Sequence, residues 1–313
     1  MVRTIVRGLT GFGVAASTGL VGCVSPADTQ RFEYAQIIMG VETRITLFAP
    51  DEPAARAAAR VAFTRMNTLD GVLSDWRAGS ELNRLCARAG TGPVAVSDDL
   101  FAVLEHARRI GRDSSGAFDV TVGPFVELWR AARTQRRLPP ADAIAAARDR
   151  VGWSLLSLDA EARTVDLAVP GMQLDLGGIG KGFAADAAIA VLEDAGVPRC
   201  LVDHGGDIAA GAPPPGRDGW RIGLPGRPEP FVLAHAAIAT SGDTEQFVEV
   251  DGVRYSHIVD PATGLGLTNR LRVTVLAPDA TTADALASAL SVLGREAGEE
   301  MLTRYAGTRA WFE

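Results

Sequence analysis

Lysine is almost absent from this chain. Of the 31 basic residues among 313, a single one, Lys181, is lysine and the rest are arginine. A coding bias that writes arginine wherever either cation serves leaves two readings of position 181. Either a compact ammonium is required there, where a planar guanidinium would not fit, or the bias passed this position over. A basic surplus is also missing. The net charge is −7 and the pI near 5.3, which excludes the basic face of a nucleic-acid binder. The one locally positive run, 130–137, reads as a solvated loop. Cysteine is scarce, with Cys23, Cys86 and Cys200 the whole complement, so there is no disulfide framework and no zinc-like spacing. Beyond the N-terminus no apolar run of membrane-spanning length occurs, and there is no repeat or low-complexity tract. What is present, 47% hydrophobic and 22% charged residues, is the composition of a folded protein with an ample core.

The N-terminus has the form of a targeting segment: Arg3 and Arg7 precede a weakly apolar run, 9–21, too short and glycine-rich to span a bilayer. It ends Leu20-Val21-Gly22-Cys23, which resembles a bacterial lipobox. In that reading residues 1–22 are a lipoprotein signal peptide, Cys23 is lipidated, and 23–30 is a short tether before a folded body at 31–313. The body would then sit on the periplasmic side of the envelope, held to the membrane by its lipid. A secretory peptide with an incidental cysteine would show the same flanks.

Along the body, the alternation in 43–48 predicts a half-buried strand, and 53–72 an alanine-rich amphipathic helix. Further helices are expected at 81–89, 97–114 (capped by Ser97 or Asp98), 140–151, 182–195 and 282–293. Strands are expected at 154–158, 164–167, 173–176, 199–203, 220–224, 231–240, 246–250 and 270–276. Residues 116–129 read as a glycine- and proline-rich connection, and 211–219 as a surface excursion. Runs of strands with separated helices indicate an α+β fold.

Four segments carry candidate chemistry. Lys181 lies in Leu-Asp-Leu-Gly-Gly-Ile-Gly-Lys-Gly-Phe-Ala-Ala-Asp, residues 174–186, a glycine-rich turn that follows a predicted strand and opens a helix. It is not a Walker A loop, because Asp175 and Gly182 replace the first glycine and the magnesium hydroxyl. The context still suits a phosphate held by backbone amides, with Lys181 as charge partner. Asp284 and Ser288 stand four apart on one helix, so they share a face and offer magnesium two hard oxygens; a dipole-favoured acid and a solvent-facing serine would look the same. His257, with Asp260 near a proline turn, is a candidate base, although a lone histidine more often serves structure. Trp76, among polar neighbours, offers a ring face for stacking or caps the core.

Taken in order, these segments resemble the ApbE family, the FAD:protein FMN transferases, over essentially the whole body. The resemblance rests on Met39-Gly40, Ser74 with Ser80-Glu81 and Asn83, 118–124 with Leu128-Trp129, 174–186, 201–208 around Gly205-Gly206-Asp207, 239–243, 255–264 and 282–294. It implies an α+β, T-fold-like protein with mixed sheets and packed helices. Such a protein uses FAD as substrate and Mg2+ as cofactor, and moves FMN onto a threonine hydroxyl of a partner, releasing AMP. By the resemblance, Gly178 (through its carbonyl), Asp284 and Ser288 would hold magnesium. Met39, Trp76, Asp119, Thr121, Val122, Gly123, Asp175, Lys181 and Val259 would contact the flavin nucleotide, and His257 would be catalytic. The acceptor would be a flavinylated subunit of an Rnf- or Nqr-type membrane redox complex, or a regulator of nitrous oxide reductase. Departures are Val120, Gly180, Thr244 and serine rather than threonine at 288; none removes a charge or a ligating oxygen. A magnesium-dependent FAD pyrophosphatase would use the same residues, whereas a non-catalytic FAD-binding lipoprotein would need neither metal ligands nor a base.

Overall fold

The computed structural model describes residues 29–242 and 247–313, with the backbone of a two-residue strand at Arg3–Thr4. The expected signal peptide, Cys23 and the expected tether up to Ala27-Asp28 otherwise lie outside the described residues, as do Asp243 and Thr244.

In chain order the strands are β1 (Arg3–Thr4), β2 (Gln30–Ile38), β3 (Val41–Ala49), β4 (Val94–Ala95), β5 (Leu156–Asp159), β6 (Thr164–Leu167), β7 (Cys200–His204), β8 (Asp207–Ala210), β9 (Trp220–Ile222), β10 (Phe231–Leu233), β11 (Ala236–Ser241), β12 (Phe247–Val250), β13 (Val253–Ser256), β14 (Val259–Asp260), β15 (Leu265–Gly266), β16 (Val273–Ala277) and β17 (Arg309–Phe312). The helices are α1 (Glu52–Leu73), α2 (Glu81–Cys86), α3 (Asp98–Asp113), α4 (Gly123–Gln135), α5 (Ala141–Arg148), α6 (Gly180–Asp194) and α7 (Ala280–Leu302).

An antiparallel sheet in the order β1-β2-β3-β7-β8-β11-β16-β17 organises the molecule. The period-2 pattern divides its two faces. Ala209, Ala237, Ala239, Val273 and Val275 turn to the large core under α1, α6 and α7, while Ile208, Ala210, Ile238 and Leu276 turn to the β9–β10 hairpin on the other side. Small residues on the helix side let α6 and α7 lie close to the sheet. A third core joins α4 and α5 to the β12–β13 hairpin through Phe125, Trp129, Ile144, Val248 and Val259.

α1 starts where Asp51 accepts from the Ala54 amide at 2.8 Å and Pro53 occupies the first turn. It buries Ala55, Ala58, Ala59, Ala62, Phe63, Met66, Leu69 and Leu73 at helical spacing. Ser97 caps α3, as its position predicts. Free thiols at Cys86 and Cys200 agree with the absence of a disulfide framework; burial pushes the Cys200 thiol up to about 12, so it stays protonated.

Several expectations need correction. Residues 116–129 are not one connection: Gly123-Pro124 begins α4, because proline suits the first helical turn, and the helix continues to Gln135. The positive run 130–137 therefore lies largely on a helix, and Arg130 is half-buried and ion-paired rather than solvated. Residues 173–176 alternate like a strand but make only a bridge, Gln173 to Val122. The stretch 231–240 divides into β10 and β11 at His235, whose φ of +47° breaks the extended chain.

Candidate functional site

A cavity of about 950 Å³ opens between the helix-covered sheet, the α4 unit and the β9–β10 end. That volume is ample for a large nucleotide ligand. Met39, Trp76, Asp119, Val122, Asp175, Gly178, Lys181, His257, Val259, Asp284 and Ser288 all line it, so residues scattered over 250 positions of sequence are brought together. Thr121 and Gly123 sit behind its wall. Thr121 is fully buried and donates to Asp119 at 2.7 Å while receiving the Gly152 amide, and a Cβ on Gly123 would come within 2.6 Å of the Gln173 carbonyl oxygen.

The floor is built where α6 and α7 meet. Each helix supplies a carboxylate to the other's N-terminal amides. Asp284 on α7 accepts from the Gly182 amide at 3.1 Å, and Asp186 on α6 accepts from the Ala280 and Thr281 amides, both at 2.8 Å, and from the Thr281 hydroxyl. Placed so, each acid meets the positive end of the neighbouring helix dipole. Only glycine fits at 182, because a Cβ there would lie 2.1 Å from the Ala280 oxygen. Burial pushes the Asp186 carboxyl up to about 6, against the three hydrogen bonds it accepts.

Lys181, one residue into α6, lies between two buried carboxylates. It pairs closely with Asp207, on β8, and lies 3.6 Å from Asp284. Burial alone would lower the ammonium, but the two carboxylates outweigh it and hold Lys181 above its ordinary value. Asp207 is pushed up by burial first and by Asp284 second, against the pull of Lys181. Two acids to one base leave the pocket floor electrostatically negative, which favours a further cation there. Sequence reasoning did not single out Asp207 beyond its Gly-Gly-Asp block; the signal was the lone lysine, whose partner only the fold identifies.

Asp284 and Ser288 share one face of α7, as their spacing predicts. Ser288 Oγ lies 3.3 Å from Ser241 Oγ at the end of β11, and a Cβ on Gly178 would come within 2.8 Å of the Ser288 oxygen. The glycine at 178 thus lets its backbone reach the serine hydroxyl. The donors gathered here are all oxygens, a hard set suited to magnesium in character. Among the described residues no group of three or more His, Cys, Asp or Glu side chains gathers as a metal cage, so a cation here would rely on the Asp284 carboxylate with backbone, hydroxyl and ligand oxygens.

The opposite wall comes from the α4 unit. Trp129 on α4 donates to the Gly264 carbonyl at 2.9 Å, tying the helix to the segment that carries His257. The Asp260 carboxylate receives the Ala262 amide at 2.8 Å and the Thr263 hydroxyl at 3.0 Å, so it shapes the proline turn. His257 is exposed on the cavity side of that segment. Asp119 is nearly buried, and desolvation raises its carboxyl. Asp175 accepts from Gly177 at 2.8 Å and from Arg130 at 3.2 Å. His204 is fully buried at the end of β7 with Nδ1 2.7 Å from the Thr43 hydroxyl, and burial with nearby Lys181 lowers its imidazole to about 4.

This arrangement matches known proteins over most of its length. The ApbE family model matches residues 39–312. The chain is 36% identical to the FAD:protein FMN transferase of Treponema pallidum, over 94% of this chain and 87% of that one, and 34% identical to that of Vibrio cholerae, over 89% and 86%. Among solved structures, it superposes on the Pseudomonas stutzeri flavinyl transferase ApbE in its apo form with a TM-score of 0.80, at 31% identity and 91% coverage of each chain. It superposes equally well on the Vibrio cholerae flavin transferase ApbE, with a TM-score of 0.80 at 30% identity, over 91% of this chain and 93% of that one. A family match of this extent, together with relatives above 30% identity that span nearly the full chain, means that this protein belongs to the ApbE family.

Proposed function

We propose that this chain is a FAD:protein FMN transferase that moves FMN from FAD to a threonine hydroxyl of an acceptor protein with the help of magnesium. The observation that carries the reading is the meeting of Lys181, Asp284, Ser288 and the Gly178 backbone on one cavity floor, with His257 on the same cavity's wall.

The Gly177, Ile179, Gly180 and Gly182 amides at the entry to α6 are already bonded within the protein, so Lys181 and a bound cation would meet the pyrophosphate there, with the helix dipole behind them. Asp284, Ser288 and Gly178 would hold magnesium, which supplies charge neutralisation on the phosphates. His257 takes the proton from the acceptor threonine as its oxygen bonds to the FMN phosphorus. The bond from that phosphorus to the bridging oxygen breaks, and AMP leaves with that oxygen. Met39, Trp76, Asp119, Val122, Asp175 and Val259 shape the space for the flavin nucleotide. Thr121 and Gly123 act from behind that wall by fixing the loop.

A lipidated Cys23 would anchor the body at the periplasmic face, and the acceptor would be a membrane redox subunit of Rnf or Nqr type or a nitrous oxide reductase regulator. Among the described residues no helix is long and apolar enough to cross a membrane. Replacing Asp284 by Asn keeps the shape and removes the charge. It is expected to lower AMP release from FAD at least a hundredfold at fixed magnesium, with partial recovery at high magnesium. Turnover within threefold of wild type would remove Asp284 from the site.

A further inference from the structure

Arg130, part of a run that reads as solvated in the sequence, is half-buried between two acids and an indole. It projects from α4 with its guanidinium carbon 4.1 Å from the centre of the Trp76 ring. The same group pairs with Asp75 and with Asp175, the latter at 3.2 Å. Three segments of the cavity wall are thereby joined: the 74–80 loop, α4, and the loop leading to Lys181.

Two features give this joint a consequence for binding. The backbone of the Trp76 loop is already fixed from behind, since the Asn83 amide donates to the Asp75 and Arg77 carbonyls, both at 2.9 Å. What Arg130 adds is control of the indole itself. Trp76 is 72% exposed although it lines the cavity, so one ring face rests on the guanidinium and the other is open. Asp75 and Asp175 would also repel each other without the cation between them; burial first, and Asp75 second, raise the Asp175 carboxyl.

We propose that Arg130 is a positioning residue for substrate binding: by stacking under Trp76 and clamping Asp75 to Asp175, it holds the open indole face as a wall against which a planar heteroaromatic ring of FAD stacks. The inference rests on the reading of the cavity as a FAD site. A free tryptophan on an exposed loop samples several rotamers, and fixing it before the ligand arrives removes that entropic cost from binding. Arginine suits the task because its plane stacks and its fork reaches two carboxylates at once, neither of which lysine reproduces.

The test is a double-mutant cycle on FAD affinity, read by flavin fluorescence without acceptor, for wild type, Arg130→Met, Trp76→Ala and the double variant. Arg130→Met is expected to weaken FAD binding about tenfold, and the double variant to bind within about twofold of Trp76→Ala, because Arg130 acts through the indole. Arg130→Lys is expected to fall between wild type and Arg130→Met, and in turnover the loss should appear in KM more than in kcat. Thermal melting separates a folding defect from a binding defect, and Arg130→Lys keeps the cycle interpretable if Arg130→Met melts early. Wild-type affinity in Arg130→Met, or additive losses in the double variant, would overturn the inference while leaving the FAD site standing. Failure of the wild type to bind FAD would overturn both, and only that outcome affects all four proteins alike.

Discussion

At the scale of single residues, the floor of the cavity shows why one lysine survived among arginines. Lys181 occupies a narrow gap between Asp207 and Asp284, and a point charge can serve both where a planar fork would need more width. The lone lysine was legible in the sequence. Its partner Asp207 was not, because the two are brought together by strand and helix packing rather than by spacing. Arg130 shows the opposite failure, since a run of arginines looks solvated until α4 turns one of them toward two acids and an indole. His204 supports a prediction at this scale. Its imidazole is buried neutral at about 4, whereas an unfolded chain holds the ordinary value near 6.5. Below 6.5 the unfolded state binds a proton that the folded state refuses, so the stability tied to this residue is complete above 6.5 and is lost as pH falls towards 4. The loss amounts to about 3 kcal/mol over that window. Urea unfolding at pH 7 and pH 4.5 should show a smaller acid-induced loss in His204→Gln than in wild type, and equal losses would contradict the burial argument.

At the scale of elements, helices with clear caps and apolar stripes were readable: α1, α3 and α6 lie within two residues of their expected ends. The N-terminal signals that matter here act locally, so a sequence displays them. Strand limits were less readable where backbone exceptions intervene, as at His235 and at Arg270, whose φ of +55° delays β16 to Val273. β8, β13 and β17 were not read, although the equally short β6 was. The reciprocal capping of α6 and α7 was invisible, because the sequence marks Asp284 only as a candidate magnesium ligand and Asp186 only as the end of the lysine loop until each is seen on the other helix's amides. The crossing depends on Gly182 having no side chain. Gly182→Ala should therefore push the two helices apart, lowering stability by roughly 2–4 kcal/mol and removing most turnover. Thermal melting and AMP release measured on the same preparation check it, and a variant with wild-type melting would show that the helices pass less tightly than the structure has them.

At the scale of the whole molecule, three apolar cores meet around one cavity, and each contributes a different part of it. The helix-covered sheet carries the charged floor with Lys181, Asp284 and Ser288, and the α4 unit carries His257 and its supporting turn. The α+β class was legible from the order of runs, and eight ordered motifs pointed to the family. The shape of the cavity was not, since it forms between units distant in sequence. The most direct measurement of the central claim uses the chain after Cys23 with FAD, magnesium and a candidate acceptor domain of Rnf or Nqr type, followed by the intact mass and in-gel flavin fluorescence of the acceptor. The account predicts a mass gain of one FMN on the acceptor, with AMP released, and its disappearance with a chelator or with His257→Ala. Accumulation of FMN and AMP beside an unmodified acceptor, or FAD bound without turnover, would contradict it.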